Sequence, residues 1–483
     1  MKILFVIPWN KTLFGDEKAA PGHPHVGVAY LIAVLKQTGY QTKVFDQGIE
    51  NEDSKLFKLI GDFKPDVIGV TAFSYCYKYI FELVKSIKQA TSIPLILGGP
   101  HVSAVKSLVL QQTEADFAMQ GESETSFIKF LIEIKKKKPN FSKVPNLLWR
   151  DKRGKIIENR IERLIEDLDS LPFPDYSEFK FEKYSYYSTK TIPLITSRGC
   201  PYNCNYCSVR LSMGRGFRAR SPENVVSEIE YWYNWGFTNF EINDDCFSLD
   251  IERAEKICEL ILDKKLKIRY QLYNGIRVDR VSEKLLKKMK DSGCIFISYG
   301  CESGNQDIIN IIGKGINLEQ VKKTVDLTNK AGIKNSVNFI IGHPGETYKT
   351  AIETLEFAKI LPTSFVNIYN LVPYPGTALY NWVEKNGRWL YAPKYILENI
   401  GSRDLKPAFE TLEFSEKERI EVLKKGFALY EKTILQFRFG KYLGFILYCF
   451  TRFQPIFRFA RYLALENKLG IASYNLITRK SKG

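Results

Sequence analysis

The sequence is short of histidine, of methionine and of long apolar runs. Its 483 residues include only 4 histidines and 4 methionines, and the longest apolar run, Tyr442 to Phe450, covers nine residues. A membrane-spanning helix needs about 20 apolar residues, so we expect no span. The first segment, MKILFVIPWN, is too short for a signal peptide and predicts a β-strand.

The cysteine pattern of a secreted protein is also absent. The nine cysteines are an odd number, and six of them stand singly along the chain. Disulfide scaffolds are short and dense in cysteine, so this usage favours a reducing cytosol. The other three, Cys200, Cys204 and Cys207, form one C-x3-C-x2-C motif within TSRGCPYNCNYCSVR.

This motif lacks a fourth ligand. No second C-x2-C occurs, and no histidine lies between His101 and His343. Zinc sites usually complete a tetrahedron with four Cys or His ligands, and iron–sulfur clusters usually take four thiolates. Three thiolates would leave one iron of a cuboidal cluster open to an exogenous ligand. The alternatives are a structural zinc knuckle and three unrelated buried thiols.

Strands and helices alternate over the first third of the chain. Predicted strands at 2–8, 41–47, 66–74, 94–103 and 115–124 are separated by helical segments, which indicates an α/β fold with a doubly wound parallel sheet of the Rossmann or flavodoxin-like type. Ligands bind such sheets at the carboxyl ends of the strands. The candidates there are Thr71, Ser74, Gly98, Gly99, His101, Gly121 and Glu122. For any one loop, the alternative is that its glycines only make a tight turn.

A second alternation follows the cysteines. Six predicted strands between 191 and 380 end in polar residues, which indicates a partial (β/α)6 barrel of the TIM type with its site at those ends. The candidates are Asn243, Asp244, Asp245, Arg277, Glu302, Ser303 and Gly342. Each could instead be an ordinary cap or turn residue. We therefore predict domains at 1–140 and 190–400, a hairpin and linker at 141–189, and a basic helical region at 401–483.

The cysteine motif, with Tyr206 before its last cysteine, closely resembles the signature of radical S-adenosylmethionine (SAM) enzymes. In that family three thiolates hold a [4Fe-4S] cluster, and its open iron chelates SAM, which is cleaved reductively to a 5′-deoxyadenosyl radical. The resemblance implies that Cys200, Cys204 and Cys207 bind the cluster. It further implies SAM contacts from Tyr206, from Asn243, Asp244 and Asp245 at the amino group, from Arg277, Glu302 and Ser303 at the carboxylate or ribose, and from Gly342 near the adenine.

The first domain resembles the cobalamin-binding domain that precedes the barrel in one branch of these enzymes. The matching segments are PGHPHVGVAYLIAVLKQTGY, GVTAFS, LGGPHVSA and MQGESE. The D-x-H-x-x-G loop of cobalamin mutases is missing, which implies cobalamin without a protein histidine on cobalt. The implied reaction is methylation of an unactivated carbon, with ring formation or another rearrangement as the nearby alternative. A degenerate domain without cobalamin also stays open.

The C-terminal region is basic and aromatic. Residues 431–483 carry ten Lys or Arg against two Glu, within a chain whose formal charge is +16. This composition favours helices in a membrane interface over a packed helical subdomain, and no RNA-binding module supports nucleic acid. We therefore expect a cytoplasmic enzyme, peripheral on the inner face of the cell membrane. We expect a lipid, isoprenoid-like or other small-molecule substrate and an electron donor such as flavodoxin or ferredoxin.

Two other functions fit parts of the sequence. Radical SAM methylthiotransferases, which act on tRNA or protein, carry three cluster-binding cysteines in their N-terminal domain, where this chain has Cys76 alone. A non-catalytic zinc-binding scaffold would need a fourth metal ligand close in space, and it leaves the polar strand ends unexplained.

Overall fold

The computed structural model describes residues 1–9, 21–50, 52–392 and 400–452. The strands of its first sheet are β1 (Lys2–Ile7), β2 (Gln41–Asp46), β3 (Val67–Thr71), β4 (Leu95–Gly98), β5 (Phe117–Met119), β6 (Leu147–Arg150) and β7 (Ile156–Glu158). Their order is β2-β1-β3-β4-β5-β6-β7, and the first five run parallel. The predicted doubly wound sheet is confirmed.

Helices cover both faces of this sheet. They are α1 (Val26–Gln37), α2 (Gln47–Glu50), α3 (Asp53–Phe63), α4 (Tyr77–Ala90), α5 (Pro100–Val105), α6 (Leu108–Gln112) and α7 (Glu124–Ile134). Along β1, Ile3 and Phe5 share a core with α1 and α7, whereas Leu4 and Val6 share one with α3 and α4. A strand buried on both faces is apolar throughout, as this one is.

Two segments differ from their predicted form. The predicted strand at 94–103 ends at Gly98, and α5 begins at Pro100, because proline is suited to the first turn of a helix and the positive φ of Gly99 turns the chain. The hairpin predicted within 141–189 is formed by β6 and β7, and it pairs antiparallel with β5. It therefore extends the first sheet.

The second sheet has six parallel strands in the order β15-β14-β13-β12-β11-β8. With the short ribbon formed by β9 and β10, the strands are β8 (Thr191–Leu194), β9 (Ser197–Arg198), β10 (Arg218–Ala219), β11 (Asn239–Ile242), β12 (Arg269–Leu272), β13 (Cys294–Glu302), β14 (Lys334–Ile341) and β15 (Phe365–Asn370). This arrangement confirms the predicted partial barrel.

The helices of the barrel region connect successive strands. They are α8 (Val209–Met213), α9 (Pro222–Asn234), α10 (Ile251–Asp263), α11 (Glu283–Asp291), α12 (Gln306–Ile312), α13 (Leu318–Lys330) and α14 (Tyr348–Ile360). Six of them begin with a side-chain cap that accepts a hydrogen bond from a free N–H of the first turn, and these caps are Ser221, Asp250, Ser282, Asn305, Asn317 and Thr347.

The C-terminal region divides into a packed part and an exposed part. It contains α15 (Ala378–Asn386), β16 (Arg388–Trp389), β17 (Phe409–Glu410), α16 (Glu416–Phe439) and α17 (Lys441–Arg452). Helix α16 lies on the barrel, where Gly426 packs closely on Ile368 and Ile434 joins a core with Phe296 and Phe365. The first part of the predicted interfacial region is therefore a packed subdomain.

The other part of that region is α17, and the prediction for 453–483 lies outside the described residues. Along α17, five large apolar side chains face solvent. Among the helices that the structure describes, none is long and apolar enough to cross a membrane.

A buried ion-pair cluster joins the two sheets at their carboxyl ends. Glu122, which follows β5, accepts hydrogen bonds from Arg198 at 3.0 Å and Arg218 at 2.8 Å, and Arg198 also pairs with Glu124 at 2.7 Å. All four side chains are at most 9% exposed. The prediction that Glu122 contacts cobalamin is therefore corrected, because its carboxylate is occupied by the arginines.

We predict that Glu122→Ala lowers the free energy of unfolding by about 3 kcal/mol, because it leaves the two buried arginines short of a partner. Urea denaturation followed by circular dichroism measures this loss. The matched control is Asp62→Ala, which breaks the exposed Lys58–Asp62 pair and should change the unfolding free energy by less than about 0.5 kcal/mol. Equal losses for both variants would contradict the proposed importance of the cluster.

Candidate active site

A cavity of about 250 Å³ opens at the carboxyl ends of the barrel strands. Cys200, Cys204 and Cys207 line it together with residues that follow β11 and β12 and residues within β13 and β14. The remaining lining residues are Tyr202, Tyr206, Val209, Arg210, Asp245, Tyr273, Asn274, Gly275, Ile276, Arg277, Ser298, Gly300, Glu302, Lys314 and Asn338. The structure thus brings the three cysteines to one wall of a cavity at the predicted end of the barrel.

The loop that carries the cysteines is fixed at both ends. Gly199 has a φ of +83°, and a Cβ there would lie 2.2 Å from the carbonyl oxygen of Gly216, so only glycine fits. Its N–H donates a hydrogen bond to Asp245 Oδ2 at 2.8 Å. Farther along the loop, the Asn205 N–H donates to the carbonyl of Ile312 at 2.9 Å. The thiols are therefore held on an ordered loop.

The thiols suit a cluster better than a single metal ion. Among the described residues, no group of three His, Cys, Asp or Glu side chains is arranged around one ion, and no fourth cysteine or histidine lines the cavity. Thiolates that bind separate irons of a cluster do not need to converge on one point. Burial raises the pKa of Cys207 to about 11 and raises that of Cys204, so both need a metal to become thiolates near neutral pH.

Cys200 has a different environment from the other two cysteines. The buried Cys246 thiol forms a hydrogen bond with it, and this bond lowers the pKa of Cys200. Cys301, a second single cysteine, is fully buried in β13, where its thiol donates to the carbonyl of Ser303 at 3.1 Å. Cys301 therefore does not face the cavity.

The two adjacent aspartates after β11 have separate roles. Asp245 lines the cavity, as predicted, and burial raises its pKa. Asp244 is buried away from it and accepts hydrogen bonds from the Thr196 N–H at 2.6 Å and the Ser197 hydroxyl at 2.6 Å. The prediction that Asp244 contacts SAM is corrected, because its carboxylate holds the turn between β8 and β9.

Three other predicted residues lie outside the cavity lining. Asn243 extends the ladder beyond β11 with its backbone N–H, which donates to Leu194. Ser303 is fully buried and accepts a hydrogen bond from the Asn305 N–H at 3.1 Å. Gly342 has a φ of +117°, and a Cβ there would lie 2.5 Å from Arg419 Nη1. The structure gives these residues local roles in turns and packing.

Tyr206 lies between the cavity and the loop after β14. Its ring centre is 5.8 Å from that of His343, whose side chain is fully buried. Burial lowers the pKa of His343 to about 3, so its ring is neutral. Tyr206 therefore lies next to the loop that contains Gly342 and His343.

Arg277 reaches the cavity with most of its guanidinium already engaged. Its Nε donates to Asp279 at 2.9 Å and its Nη2 donates to the carbonyl of Lys314 at 2.7 Å. The group also stacks on the Tyr202 ring, 3.4 Å from its centre. One edge of the guanidinium is thus fixed, and the group remains a cation at the cavity wall.

Glu302 and Lys314 form a buried ion pair in the cavity. Lys314 Nζ lies 2.6 Å from Glu302 Oε1, and both side chains are less than 10% exposed. Glu302 has a φ of +73°, unusual for a residue with a side chain, at a bulge in the pairing of β13 with β14. Burial would lower the pKa of Lys314, but Glu302 raises it above its ordinary value.

Lys314 is a cavity residue that the sequence patterns did not predict. It is not at a strand end but follows α12, within the segment IIGKGI. The one sequence feature that could have indicated a site residue is its position between two glycines in an apolar segment.

The residues predicted to bind cobalamin lie at the carboxyl edge of the first sheet. Thr71 ends β3, where its hydroxyl lies 3.3 Å from His25 Nε2, and Ser74 Oγ lies 3.0 Å from His101 Nδ1. Burial lowers the pKa of His101 to about 4, so this imidazole is neutral. Gly121, after β5, donates its N–H to Ser103 Oγ at 2.9 Å. These residues meet at the carboxyl ends of β3, β4 and β5.

This edge fits a large polar cofactor. The His101 Nε2 atom is buried and has no hydrogen-bond partner among the described residues, which leaves it able to meet a ligand. A Cβ at Gly98 would meet no atom within 4 Å, so the strand end has open space beside it. Gly99, by contrast, is required for the turn, because its φ is +102° and a Cβ would lie 2.9 Å from the Ala72 carbonyl oxygen.

Two protein-family models match the chain, one over the first domain and one over the barrel. Residues 16–131 match the B12 binding domain, and residues 194–358 match the radical SAM superfamily. An uncharacterised methyltransferase of Pyrococcus horikoshii, PH0819, is 31% identical over 390 residues, which cover 80% of this chain and 84% of that protein. The anaerobic magnesium-protoporphyrin IX monomethyl ester cyclase of Rubrivivax gelatinosus is 27% identical and covers 79% of this chain and 69% of its own.

Solved structures share the fold. OxsB, a cobalamin-dependent SAM radical enzyme solved with aqua-cobalamin and SAM, has a TM-score of 0.71 at 17% identity, covering 99% of this chain and 75% of its own. TsrM, a radical SAM methyltransferase from Kitasatospora setae, has a TM-score of 0.67 at 19% identity, covering 84% and 80%. The chain belongs to the radical SAM enzymes with an N-terminal B12-binding domain, a cobalamin-dependent, methyltransferase-like group that uses a [4Fe-4S] cluster, SAM and cobalamin.

Proposed function

We propose that the enzyme transfers a methyl group from SAM, with cobalamin as its carrier, to an unactivated carbon of a lipid or isoprenoid-like substrate. The observation that supports methyl transfer is that the cysteine-lined cavity and the predicted cobalamin residues both lie at the carboxyl ends of their sheets. The Glu122 cluster joins the carboxyl end of the first sheet to the ribbon that leads into the cysteine loop. A substrate between these edges would be within reach of both cofactors.

We assign the cluster to Cys200, Cys204 and Cys207. The chemistry of the donor set supports this assignment, because three thiols line one wall of the cavity and leave a fourth position without a protein ligand. When bound there, a [4Fe-4S] cluster supplies one-electron reducing chemistry to SAM. The chain's own part is to hold the thiols through the Gly199–Asp245 hydrogen bond and to place SAM against the open position.

We assign the SAM contacts to Tyr206, Asp245, Arg277 and Glu302, with Lys314 as the partner of Glu302. These side chains line the same cavity as the thiols and offer both signs of charge. Carboxylates suit the amino group and ribose hydroxyls of SAM, and a cation suits its carboxylate. Burial of the Glu302–Lys314 pair strengthens these interactions because the site excludes most water.

We assign the cobalamin edge to Thr71, Ser74, Gly98, Gly99, His101 and Gly121. The unpartnered His101 Nε2 and the open space beside Gly98 support this assignment. When bound, cobalamin supplies methyl-carrying chemistry. The residues of the edge would hold the corrin through hydrogen bonds and close backbone approach.

Helix α17 supports the lipid or isoprenoid class of substrate. Tyr442, Leu443, Phe445, Ile446 and Phe450 are each at least 46% exposed, although all are large and apolar. The opposite side of the helix packs through Gly444 on Gln436 of α16. Lys441 begins the helix, and Lys432 Nζ lies 5.6 Å from the centre of the Phe445 ring. An exposed apolar face bordered by lysines suits an anionic membrane surface.

Ring formation is the second candidate reaction. The similarity to the anaerobic magnesium-protoporphyrin cyclase favours it, since that relative covers 79% of this chain. The two reactions differ in the fate of the SAM methyl group, which enters the product only in a methylation.

We predict that the reconstituted, reduced wild-type enzyme releases 5′-deoxyadenosine from SAM, and that Cys204→Ala abolishes both this release and the visible absorbance of the cluster. With trideuteriomethyl SAM and a lipid extract of source cells that lack the enzyme, mass spectrometry should find a lipid that carries the labelled methyl group. The matched control is Cys294→Ala, which removes a buried thiol outside the cavity and should keep the cluster. An unlabelled new product would favour ring formation, and no deoxyadenosine from wild type would contradict the catalytic assignment.

We predict that Lys314→Met weakens SAM binding to the cluster-loaded enzyme about tenfold or more, because Glu302 loses its counter-charge. Equilibrium dialysis with labelled SAM measures the dissociation constant, and iron content reports the cluster. Lys314→Arg should restore part of the affinity, and Lys322→Met, which removes an exposed lysine, should leave it unchanged. Unchanged affinity in Lys314→Met with a full cluster would contradict the assignment.

We predict that wild-type enzyme co-sediments with vesicles of phosphatidylglycerol and phosphatidylcholine, and that Leu443→Glu/Ile446→Glu reduces the bound fraction at least fivefold. The matched control is Ile360→Glu/Leu412→Glu, which changes two exposed apolar residues elsewhere and should leave binding unchanged. Equal binding of both double variants would contradict a membrane role for α17.

A further inference from the structure

Three neighbouring strands of the barrel carry polar side chains on the face that meets the cavity. Ser298 of β13 pairs in register with Ser336 of β14, and Asn338 of β14 pairs with Asn367 of β15. The alternating residue Val337 belongs instead to the core that the sheet shares with its outer helices. Ser298 and Asn338 both line the cavity. We call these four polar residues the polar wall.

The polar wall is one hydrogen-bond network without a charged member. Ser336 Oγ donates to Ser298 Oγ at 2.8 Å, and Asn338 Nδ2 donates to the same oxygen at 3.1 Å. Asn367 Nδ2 donates to Asn338 Oδ1 at 2.8 Å. Among the described residues, no charged side chain hydrogen-bonds to any of the four. Bulky apolar side chains usually fill the interior of a (β/α) barrel, so a polar network there points to a ligand.

The polar wall keeps one donor and one acceptor for that ligand. A carboxamide has two N–H donors and one carbonyl oxygen. Asn338 uses one N–H on Ser298, and the Asn367 carbonyl oxygen has no partner among the described residues. A hydroxyl group both donates and accepts, so it matches these two free groups. An ionised carboxylate or phosphate offers acceptors only, and it would find no cation in the polar wall.

The charged groups nearest to the polar wall already neutralise each other. Gly300 follows Ser298 on the same face of β13, and a Cβ there would lie 2.3 Å from Glu302 Oε1 and 2.9 Å from Lys314 Nζ. The buried ion pair of Glu302 with Lys314 therefore covers Gly300. This pair marks the boundary between the polar wall and the charged part of the cavity.

Aromatic rings border the polar wall on its other side. Phe296 precedes Ser298 by two residues and Phe365 precedes Asn367 by two, so each pair shares a face of its strand. The two phenylalanine rings stack with their centres 5.7 Å apart. The Tyr273 ring, which lines the cavity, lies 5.2 Å from that of Phe296. An apolar or unsaturated chain suits such a surface.

We propose that the polar wall binds a hydroxyl group of the substrate, next to an apolar body that lies on the aromatic rings. The inference rests on the proposed function and narrows its substrate class to a lipid or isoprenoid-like alcohol. The charged residues beyond Gly300 are left for SAM. The polar wall is then the part of the cavity that selects the substrate.

Chemical masking of a lipid extract tests this inference with the full-length, cofactor-loaded enzyme. One portion of an extract from cells that lack the enzyme is acetylated, which masks hydroxyl groups. A second portion is treated with trimethylsilyldiazomethane, which esterifies carboxylates and phosphates. With trideuteriomethyl SAM, we expect acetylation to lower the yield of labelled lipid at least tenfold, and esterification to leave it within twofold of the untreated extract.

The two masking reactions have distinct contrary outcomes. A labelled yield that survives acetylation would overturn the inference, as would a loss on esterification that equals the loss on acetylation. No labelled lipid from the untreated extract would instead contradict the proposed function.

Two variants connect the masked group to the polar wall. Asn367→Ala removes the free carbonyl oxygen, and Asn338→Asp replaces the free N–H with an acceptor. We expect each to lower the labelled yield at least tenfold and to raise the ratio of deoxyadenosine to labelled lipid. Iron content and the SAM dissociation constant should stay within twofold of wild type. The same two changes at Asn381, an exposed residue of α15, are the matched controls and should match wild type.

Asn367→Ala decides the test if Asn338→Asp also alters SAM binding, because Asn338 pairs in register with Gly300 beside the Glu302 carboxylate. A wild-type yield of labelled lipid from Asn367→Ala would overturn the inference.

Discussion

A buried carboxylate holds the two halves of the enzyme together at the carboxyl ends of their sheets. Glu122 follows the last parallel strand of the first sheet, and its partners Arg198 and Arg218 lie in the ribbon on either side of the cysteine loop. Separating the halves would leave the four charges of Glu122, Glu124, Arg198 and Arg218 without partners in a poorly hydrated site, which is costly. Burial alone would raise the pKa of Glu122, but the arginines hold it below its ordinary value. The carboxyl ends of both sheets are consequently held together.

The cysteine loop begins directly after Arg198 of this ion-pair cluster. Gly199 sits between Arg198 and Cys200, and its N–H is fixed by Asp245 at the end of β11. The segment after the cysteines then touches the first domain, where Gly121 approaches the carbonyl of Ser212. The loop thus contacts the barrel on one side and the cobalamin edge on the other.

Local sequence patterns predicted the fold and the cysteine motif at the centre of the site. They could not predict which side chains that are distant in the sequence contact each other. The spacing of Cys200, Cys204 and Cys207 is a local property, and the alternation of strands and helices identified both sheets. Asp244 and Glu122 also follow strands, but their carboxylates bind residues that are distant in the sequence. Asp244 accepts a hydrogen bond from Thr196, and Glu122 pairs with Arg218. The spacing of residues along the sequence does not reveal these partners. Lys314 was missed for the same reason, since only the fold brings it to Glu302. Amino-acid composition likewise could not show that α16 packs on the barrel whereas α17 exposes its apolar side chains.

The central claim is that three thiols hold a cluster whose open iron is the position for SAM. Electron–nuclear double resonance of the reduced, cluster-loaded enzyme with SAM labelled with nitrogen-15 at its amino group tests this claim most directly. We expect a nitrogen-15 coupling to the cluster spin that disappears when unlabelled SAM replaces the labelled compound. A reduced cluster that shows no nitrogen coupling while SAM is bound at saturation would contradict it.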